Sequence, residues 1–368
     1  MKQILEQAVA LAALGRIGAL ATVVTASGSF PMSRRSRLLI LPDGTQQGTV
    51  GGGCLEAEVH ALGLKAIRSG RAVFARFTLT EAMAGAEGLN CGGTVQMLVE
   101  PVGSGHSVEV HRAALEALER QEESVLASIV TDPLADAQEQ GPRSVEILGK
   151  GLVGWTGVRE GSGLLGDASA SSGLIAPTVE AARELLGTDH TALSWVADAV
   201  SGKRFALFLE SVTSPPVLFL FGGGHVGRAV ASVAATAGFR VVVIDDREEF
   251  SCAERFPMAE QTLVRPMQSA LAGLPIDRNA YIVAVTRGHQ HDEHVIEQAV
   301  GTSARYIGMI GSRRKKAILW RRLKARGARE SDLDRVHSPV GLAIGADSPG
   351  EIAVSIVAEM IRVRRGFS

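Results

Sequence analysis

A glycine-rich turn constrains the fold of the C-terminal part of the chain more than any other feature. Residues 217–221 read as a buried strand, and Gly222, Gly224 and Gly227 follow in G-x-G-x-x-G spacing before a predicted helix. In a dinucleotide-binding unit these glycines permit a tight turn, the close approach of a pyrophosphate and close helix–strand packing. Further strands, with helices between them, are predicted over 240–245, 261–265, 280–285 and 305–310. This alternation predicts a doubly wound parallel sheet.

The end of the second predicted strand supplies an acid that completes the nucleotide-binding pattern. Asp245 lies at the distance expected for a carboxylate that holds a ribose hydroxyl. Arg247 follows and can accept a 2′-phosphate, so the pattern does not choose between NAD and NADP. The predicted cofactor-binding residues of this turn are Gly222, Gly224, His225, Gly227 and Asp245. A Rossmann-like fold that keeps the glycines for packing alone is the alternative.

Three further segments are expected at the same edge of the sheet, because ligands of such sheets bind beyond the carboxyl ends of the strands. These segments are 286–292, 308–313 and 337–342. The second is a glycine turn that opens a helix and is therefore a candidate anion site. The predicted binding residues in these segments are Thr286, His289, Asp292, Gly311 and Ser312.

Three histidines and an aspartate lie within six residues and raise the question of a metal site. They are His289, His291, Asp292 and His294. His291 and His294 are three residues apart and can share a helix face. No arrangement of ligands with an open position is evident, so a polar, solvated start of a helix is the simpler interpretation.

A run of basic residues follows in the predicted sheet domain. Nine Lys or Arg and no acid occur from Arg313 to Arg329. The simpler interpretation is a solvated helix face with Ile318, Leu319 and Leu323 on its buried side. The alternative is a docking surface for an acidic partner or for a phosphate-bearing cofactor.

A second glycine turn, near the N-terminus, predicts a different kind of site. Gly51, Gly52 and Gly53 run directly into Cys54, and a helix is predicted over 55–69. Positive φ angles let several N–H groups face one point, and the positive end of a helix dipole favours a thiolate. This arrangement suits an anion, a metal-bound oxo group or an electrophile. Cys54 is the candidate contact to a metal.

The remaining acidic and thiol groups near this turn leave alternatives. Glu56 is either an ordinary first-turn acid or a partner for a ligand. Cys91 lies in another glycine turn, Asn90–Gly93, and is either a binding residue or a small buried hydrophobe. Two thiols cannot complete a structural zinc shell, and C-x-x-C is absent. Cys252 is expected to be a small buried residue.

The pattern along the chain predicts an α/β protein of three parts. An N-terminal α+β domain is predicted over 1–105 and a Rossmann-like nucleotide-binding domain over 216–368. Between them, 106–215 is predicted to be a connecting subdomain that completes the N-terminal sheet.

Composition excludes several classes of protein. A formal net charge of −1 predicts no bulk attraction to nucleic acid or to a membrane surface. Three widely spaced cysteines argue against a disulfide scaffold and for a reducing compartment. The first residues read as an amphipathic helix rather than a signal peptide, and no apolar run is long enough to span a bilayer. A cytoplasmic location is therefore expected.

Taken together, the motifs of the chain resemble those of the XdhC/CoxI family, the accessory factors of xanthine dehydrogenase and related molybdenum hydroxylases. The resemblance covers almost the whole chain in order, except for about 105–210. The residues that carry it are Gly51–Glu56, Cys91–Gly93, Phe221–Gly227, Thr286–Asp292, Tyr306–Lys315 and Ser338–Gly345.

This resemblance implies a non-catalytic or weakly catalytic maturation factor. Such a protein binds the molybdenum cofactor, as molybdopterin or its dinucleotide form, and protects it from oxidation while its sulfur ligand is installed. It then hands the cofactor to the hydroxylase apoenzyme. The implied partners are that apoenzyme, a sulfur-donating desulfurase and a second copy of the chain. Our hypothesis is that the N-terminal thiol faces the metal end of the cofactor and that the Rossmann-like site holds its phosphate or nucleotide end.

Two other functions remain compatible with the residues. An NAD(P)- or flavin-dependent oxidoreductase would use the C-terminal site for hydride transfer, with His289 and Asp292 as its only evident acid–base groups. A scaffold with a vestigial nucleotide fold would only dock partners.

Overall fold

The computed structural model describes residues 1–28, 36–78, 93–120, 122–130, 151–157, 163–165, 172–186, 188, 190–202 and 204–366. The chain forms two compact units, Met1–Ser214 and Pro215–Ser368, called unit 1 and unit 2 below. No helix of the described ranges is long and apolar enough to cross a membrane.

The first sheet of unit 1 is antiparallel and has the strand order β3-β2-β1-β5-β4. The elements of this region are α1 (Lys2–Ala13), β1 (Gly18–Ser27), β2 (Arg37–Ile40), β3 (Gln46–Thr49), α2 (Gly53–Ser69), β4 (Val73–Thr78) and β5 (Thr94–Val102). Helix α2 packs on one face of this sheet through Leu55, Val59 and Ala66. Gly63 permits the close approach, because a Cβ there would lie 2.6 Å from Cδ1 of Ile40.

The middle region forms a second antiparallel sheet of its own, with the order β8-β7-β6-β10-β9. Its elements are α3 (His106–Glu119), β6 (Ser124–Val130), β7 (Gly151–Gly157), β8 (Gly163–Leu165), α4 (Ile175–Arg183), β9 (Thr191–Ala197) and β10 (Arg204–Val212). The expectation that this region completes the N-terminal sheet is therefore wrong. The physical reason is that β1 is apolar on both faces, so the first sheet needs a cover on the side away from α2. Phe74 and Leu98 of the first sheet pack there against Val130 and Phe208 of the second.

Buried polar groups also lie inside unit 1. Arg37 of β2 forms an ion pair with Glu210 of β10, and both side chains are almost fully buried. A small cavity nearby is lined by Glu100, His111 and Glu210, among other residues. Burial lowers the pKa of His111 to about 4, because a charged imidazole is poorly solvated there.

Unit 2 is a six-stranded parallel sheet with the order β13-β12-β11-β14-β15-β16. Its elements are β11 (Val217–Phe221), α5 (His225–Thr236), β12 (Arg240–Asp245), β13 (Gln261–Val264), β14 (Ala280–Ala284), α6 (His289–Ala299), β15 (Tyr306–Met309), α7 (Arg313–Ala325), α8 (Glu330–Asp334), β16 (Val336–His337) and α9 (Pro349–Arg364). This is the strand order of a dinucleotide-binding fold, with its reversal between β11 and β14. The α/β fold class and the doubly wound sheet are confirmed.

Both faces of this sheet are covered, as a doubly wound fold requires. Phe219 and Phe221 of β11 belong to a core shared with α6 and α7, whereas Leu218 and Leu220 belong to a core shared with α5 and α9. Strand β11 is therefore a near-continuous apolar run, because alternate side chains enter different cores.

Candidate functional site

The glycine–cysteine turn of unit 1 depends on glycine for its backbone conformation. Gly51, Gly52 and Gly53 have φ angles of 133°, 71° and 58°, a region that other residues adopt only at a cost. An added Cβ at Gly52 or Gly53 would meet nothing within 4 Å, so space is not the constraint. Three successive positive φ angles turn the chain directly into α2, which begins at Gly53.

The carboxylate of Glu56 occupies the inside of this turn. Its Oε2 accepts hydrogen bonds from Thr49 Oγ1 at 2.6 Å and from the N–H groups of Val50 and Gly52 at 3.3 Å. Its Oε1 accepts one from Gln46 Nε2 at 2.8 Å. The bond from Thr49 is the main cause that lowers the pKa of Glu56. Glu56 therefore braces the turn, and two of the N–H groups expected to face a ligand are already satisfied by the protein.

The thiol of Cys54 lies at the second residue of α2 and is exposed. The first N–H groups of a helix have no intrahelical acceptor, so this thiol lies beside backbone donors and the positive end of the dipole. Among the residues that the structure describes, no three His, Cys, Asp or Glu side chains are placed to hold a metal ion. Cys91 lies outside the described residues. The turn thus offers a single soft ligand next to anion-binding donors.

The glycine turn of unit 2 contains glycines with different physical roles. A Cβ at Gly222 would lie 2.5 Å from the carbonyl oxygen of Val285, and one at Gly227 would lie 1.9 Å from that of Gly222. These two residues permit the packing of the turn on β14 and of α5 on the turn. Gly224, which caps α5, has open space where a side chain would be. His225 is exposed at the first residue of α5. The end of α5 is therefore the accessible part of this turn.

Asp245 is held by the protein itself. Only 2% of the residue is exposed, and its carboxylate accepts hydrogen bonds from Gly223 N at 2.8 Å and from Arg247 Nε at 3.0 Å. Burial alone would raise the pKa of this carboxyl, but the bonds from Arg247 and Gly223 lower it below its usual value. The predicted ribose acid is thus engaged, and a ribose hydroxyl would have to displace Arg247.

The segment after β12 packs directly on the glycine turn. A Cβ at Gly223 would lie 1.7 Å from the carbonyl oxygen of Phe250. Arg255 donates to the carbonyl oxygen of Gly223 at 2.8 Å, and the guanidinium of Arg247 lies 3.6 Å from the ring centre of Phe250. Gly223 is therefore required as strictly as its neighbours, although the G-x-G-x-x-G pattern leaves that position free.

Thr286 and Asp292 come together at the carboxyl end of β14. Asp292 is fully buried and accepts hydrogen bonds from Thr286 N at 3.1 Å and from Thr286 Oγ1 at 2.6 Å. Lys315 of α7 donates to its other oxygen at 2.6 Å. The three residues connect β14, α6 and α7 and hold their ends in a fixed arrangement. Sequence reasoning assigned Lys315 only to the basic run.

The other predicted residues of this edge are more separate. Ser312 caps α7 by accepting from Lys315 N at 3.2 Å, directly after Gly311 with its φ of 156°. His289 is exposed at the first residue of α6. Arg287, after β14, forms a 2.6 Å ion pair with Asp246, after β12. Since β11 lies between these two strands, the pair joins groups from both sides of the glycine turn.

The two units carry the motifs of one family. Residues 218–360 match the model of the XdhC Rossmann domain, and residues 11–78 match the model of the XdhC and CoxI family. The matched segments together cover more than half of the chain and include both glycine turns. The chain belongs to the XdhC and CoxI family.

Named relatives of this XdhC and CoxI chain are similar over part of their length. The chain is 33% identical over 172 residues to the uncharacterized protein YqeB of Escherichia coli K12, which is 46% of this chain and 31% of that protein. It is 34% identical over 160 residues to a probable xanthine dehydrogenase subunit of Bacillus subtilis 168, which is 43% of this chain and 46% of that protein. The chain thus spans less than half of the length of these relatives.

One solved structure has the same fold. It is described as a xanthine dehydrogenase from Bacillus halodurans and is 22% identical to this chain. The TM-score is 0.71, and the comparison covers 99% of this chain and 96% of the other. This likeness supports the fold of both units of the XdhC and CoxI chain.

A buried centre around Glu359 was missed by sequence reasoning. Its carboxylate accepts hydrogen bonds from Tyr306 Oη at 2.6 Å and from Gly341 N at 2.9 Å, and it lies 3.2 Å from Nδ1 of His337. Burial would raise the pKa of Glu359, but these partners hold it at about 2. The centre joins β15, β16 and α9. Its only sequence signal is an acid at a position of α9 that otherwise faces the core.

Proposed function

We propose that this protein is a maturation factor for a xanthine dehydrogenase-type molybdenum hydroxylase. In this role it binds the molybdenum cofactor, supports its sulfuration with a sulfur-donating desulfurase, and delivers it to the apoenzyme. Membership of the XdhC and CoxI family, together with an exposed thiol on a braced glycine turn, is the observation that carries the proposal. We also propose that the chain acts as a homodimer in the cytoplasm.

The residues of unit 1 fit the metal-bearing end of such a cofactor. The cofactor supplies a molybdenum centre with sulfur and oxo ligands, for which a thiolate and backbone N–H groups are suitable partners. Cys54 provides the thiol, and the first turn of α2 provides the donors. Glu56 keeps the turn in shape through its hydrogen bonds to Thr49, Val50 and Gly52. We therefore assign the metal contact to Cys54 and a positioning role to Glu56.

The residues of unit 2 fit a phosphate better than a ribose. Gly224 leaves space at the start of α5, where backbone donors and the helix dipole favour an anion. Asp245, which would hold the ribose, is engaged by Gly223 and Arg247. We assign to this turn the phosphate of molybdopterin or the pyrophosphate of its dinucleotide form. Gly222 and Gly227 support the site through packing.

An NAD(P)- or flavin-dependent oxidoreductase is the second candidate. The strand order of unit 2 and the space at Gly224 favour it, because both are features of a nucleotide-binding sheet. The engaged carboxylate of Asp245 counts against it, since the ribose contact then requires the Arg247 ion pair to open.

The deciding experiment is anaerobic purification of the full chain from a host that makes the molybdenum cofactor. Bound molybdenum, released pterin and bound nucleotide are measured together for the wild type, Cys54→Ala and the control Cys252→Ala. We expect near-stoichiometric pterin in the wild type and the control, and its loss in Cys54→Ala. Full retention of pterin in Cys54→Ala would contradict the assigned thiol contact. Bound nicotinamide or flavin without pterin would support the oxidoreductase instead.

A further inference from the structure

The basic run on α7 separates in the structure into a neutralised part and a part without carboxylate partners. Five of its nine Lys and Arg residues form ion pairs; they are Lys315, Arg322, Lys324, Arg326 and Arg329. The remaining four are Arg313, Arg314, Lys316 and Arg321, and none of them pairs with a carboxylate in the part of the chain that the structure describes. We call these four residues the basic patch.

The neutralised part has a role in folding. Glu293 of α6 is 5% exposed and pairs at 3.0 Å with both Arg322 and Arg326. Glu297 of the same helix pairs with Arg326 at 2.9 Å. These contacts, with Leu319 and Leu323 in the core below, fix α7 against α6 and the sheet. The basic residues in the second half of α7 are thus explained by unit 2 itself.

The basic patch has no such explanation. Arg313, Arg314 and Lys316 lie in the first turn of α7, and that turn contains no acidic residue. Positive side chains at the positive end of a helix dipole are unfavourable. A helix that needed only to fold would carry acids there. A local choice that opposes the fold in this way is expected at a surface kept for binding.

An exposed apolar side chain lies within the patch. Ile318 is 44% exposed and shares a helix face with Arg314 and Arg321 through its i, i+4 and i+7 spacing. The prediction that Ile318 is on the buried side of the helix is therefore wrong, because Leu319 and Leu323 alone face the core. The eight-residue separation of Arg313 and Arg321 spans roughly 12 Å at 1.5 Å per residue, more than one phosphate can contact. Spread positive charge around an apolar side chain is complementary to an acidic protein surface.

We propose that the basic patch is the docking surface for an acidic segment of the hydroxylase apoenzyme. This inference rests on the proposed function and names the surface that meets the client. Helix α7 begins directly after β15, at the carboxyl edge of the sheet where the glycine turn of unit 2 also lies. Docking on the patch brings the client to the edge that carries the candidate cofactor residues of unit 2.

The test compares the full-length wild type with the double variant Arg314→Glu/Arg321→Glu and with the control Arg71→Glu/Arg278→Glu. Both control positions are exposed, and the change of net charge is the same. Binding to the purified xanthine dehydrogenase-type apoenzyme of the same organism is measured by calorimetry at low and high salt. We expect the patch variant to bind at least about tenfold more weakly, because an interface charge is reversed, and the control to stay within about twofold. Wild-type binding should weaken as salt is raised.

Other readouts separate the failure of this inference from failure of the proposed function. Thermal unfolding of the patch variant should be unchanged or improved, because Glu at position 314 suits the helix dipole, so weaker binding is not a folding defect. Equal client binding by wild type and patch variant overturns the docking surface while bound pterin still supports the carrier. A wild type that binds pterin but no client overturns the inference, as does a patch variant that loses only self-association or only binding to a DNA duplex.

Discussion

Removing the charge of Glu359 should destabilise unit 2 in a pH-dependent way. Its carboxylate is 6% exposed and accepts hydrogen bonds from Tyr306 and Gly341 beside His337. These partners lower its pKa from 4.5 to about 2. The ionised form is therefore bound more tightly in the folded protein than the protonated form. Glu359→Gln keeps the size of the side chain and an acceptor oxygen, and removes only the charge.

The magnitude follows from the two pKa values. A difference of 2.5 between 4.5 and about 2, at 1.36 kcal/mol for each pKa unit, corresponds to roughly 3 kcal/mol. Because the folded-state pKa is the lower one, this contribution is complete above pH 4.5 and is lost as the pH falls towards 2. The wild type and Glu359→Gln should thus differ by about 3 kcal/mol in free energy of unfolding at pH 7, and the difference should shrink below pH 4.5.

Urea titration followed by hydrogen exchange of peptides from unit 2 measures this quantity separately from unit 1. The control is Glu254→Gln, which removes an exposed carboxylate and should change the free energy of unfolding by less than about 0.5 kcal/mol. A loss in Glu359→Gln that is the same at pH 3 and pH 7, or that stays below about 1 kcal/mol at pH 7, would refute the reasoning.

Three further outcomes test other contacts. Gly223→Ala should destabilise unit 2 by more than about 2 kcal/mol, because its Cβ would lie 1.7 Å from a carbonyl oxygen, whereas Gly224→Ala, with open space, should cost less than about 1 kcal/mol; thermal unfolding distinguishes them, and equal costs would contradict the packing argument. Asp292→Asn and Lys315→Met should each destabilise unit 2, and the double variant should lose less than the sum of both in urea unfolding, since the ions lie 2.6 Å apart; full additivity would count against the pair. The pKa of His111 is about 4 in the folded protein and 6.5 when unfolded, so the unfolded state binds the proton first and stability falls as the pH drops from 6.5 towards 4; His111→Leu should flatten this part of the pH profile of unit 1, and an unchanged slope would contradict it.

The sheet of unit 2 could be predicted from sequence because its signals are local. Each buried strand is a short apolar run, and the turn before α5 has glycines at positions where backbone atoms approach closely. The second sheet of unit 1 gave weaker signals. Its strands β6 and β10 pair with each other although they lie far apart in the sequence. Hydrophobic pattern alone does not distinguish a new sheet from strands added to an existing one.

The candidate residues were found more readily than their partners. Spacing located Asp245 and Glu56, but it could not say that Gly223 and Arg247 engage the first or that Thr49 and Gln46 engage the second. Such contacts depend on side-chain directions that only the folded chain sets. The same holds for Glu359, whose partner Tyr306 is 53 residues away in the sequence.

Both glycine turns have a carboxylate of the protein at their centre, Glu56 in unit 1 and Asp245 in unit 2. Each acid accepts a backbone N–H that would otherwise need a solvent molecule or a cargo molecule as its acceptor. The turns are consequently shaped before anything binds and keep that shape after it leaves. A protein that repeatedly loads and unloads a labile molecule benefits from such an arrangement, because release then requires no local refolding and leaves the vacated loop ready for the next cycle.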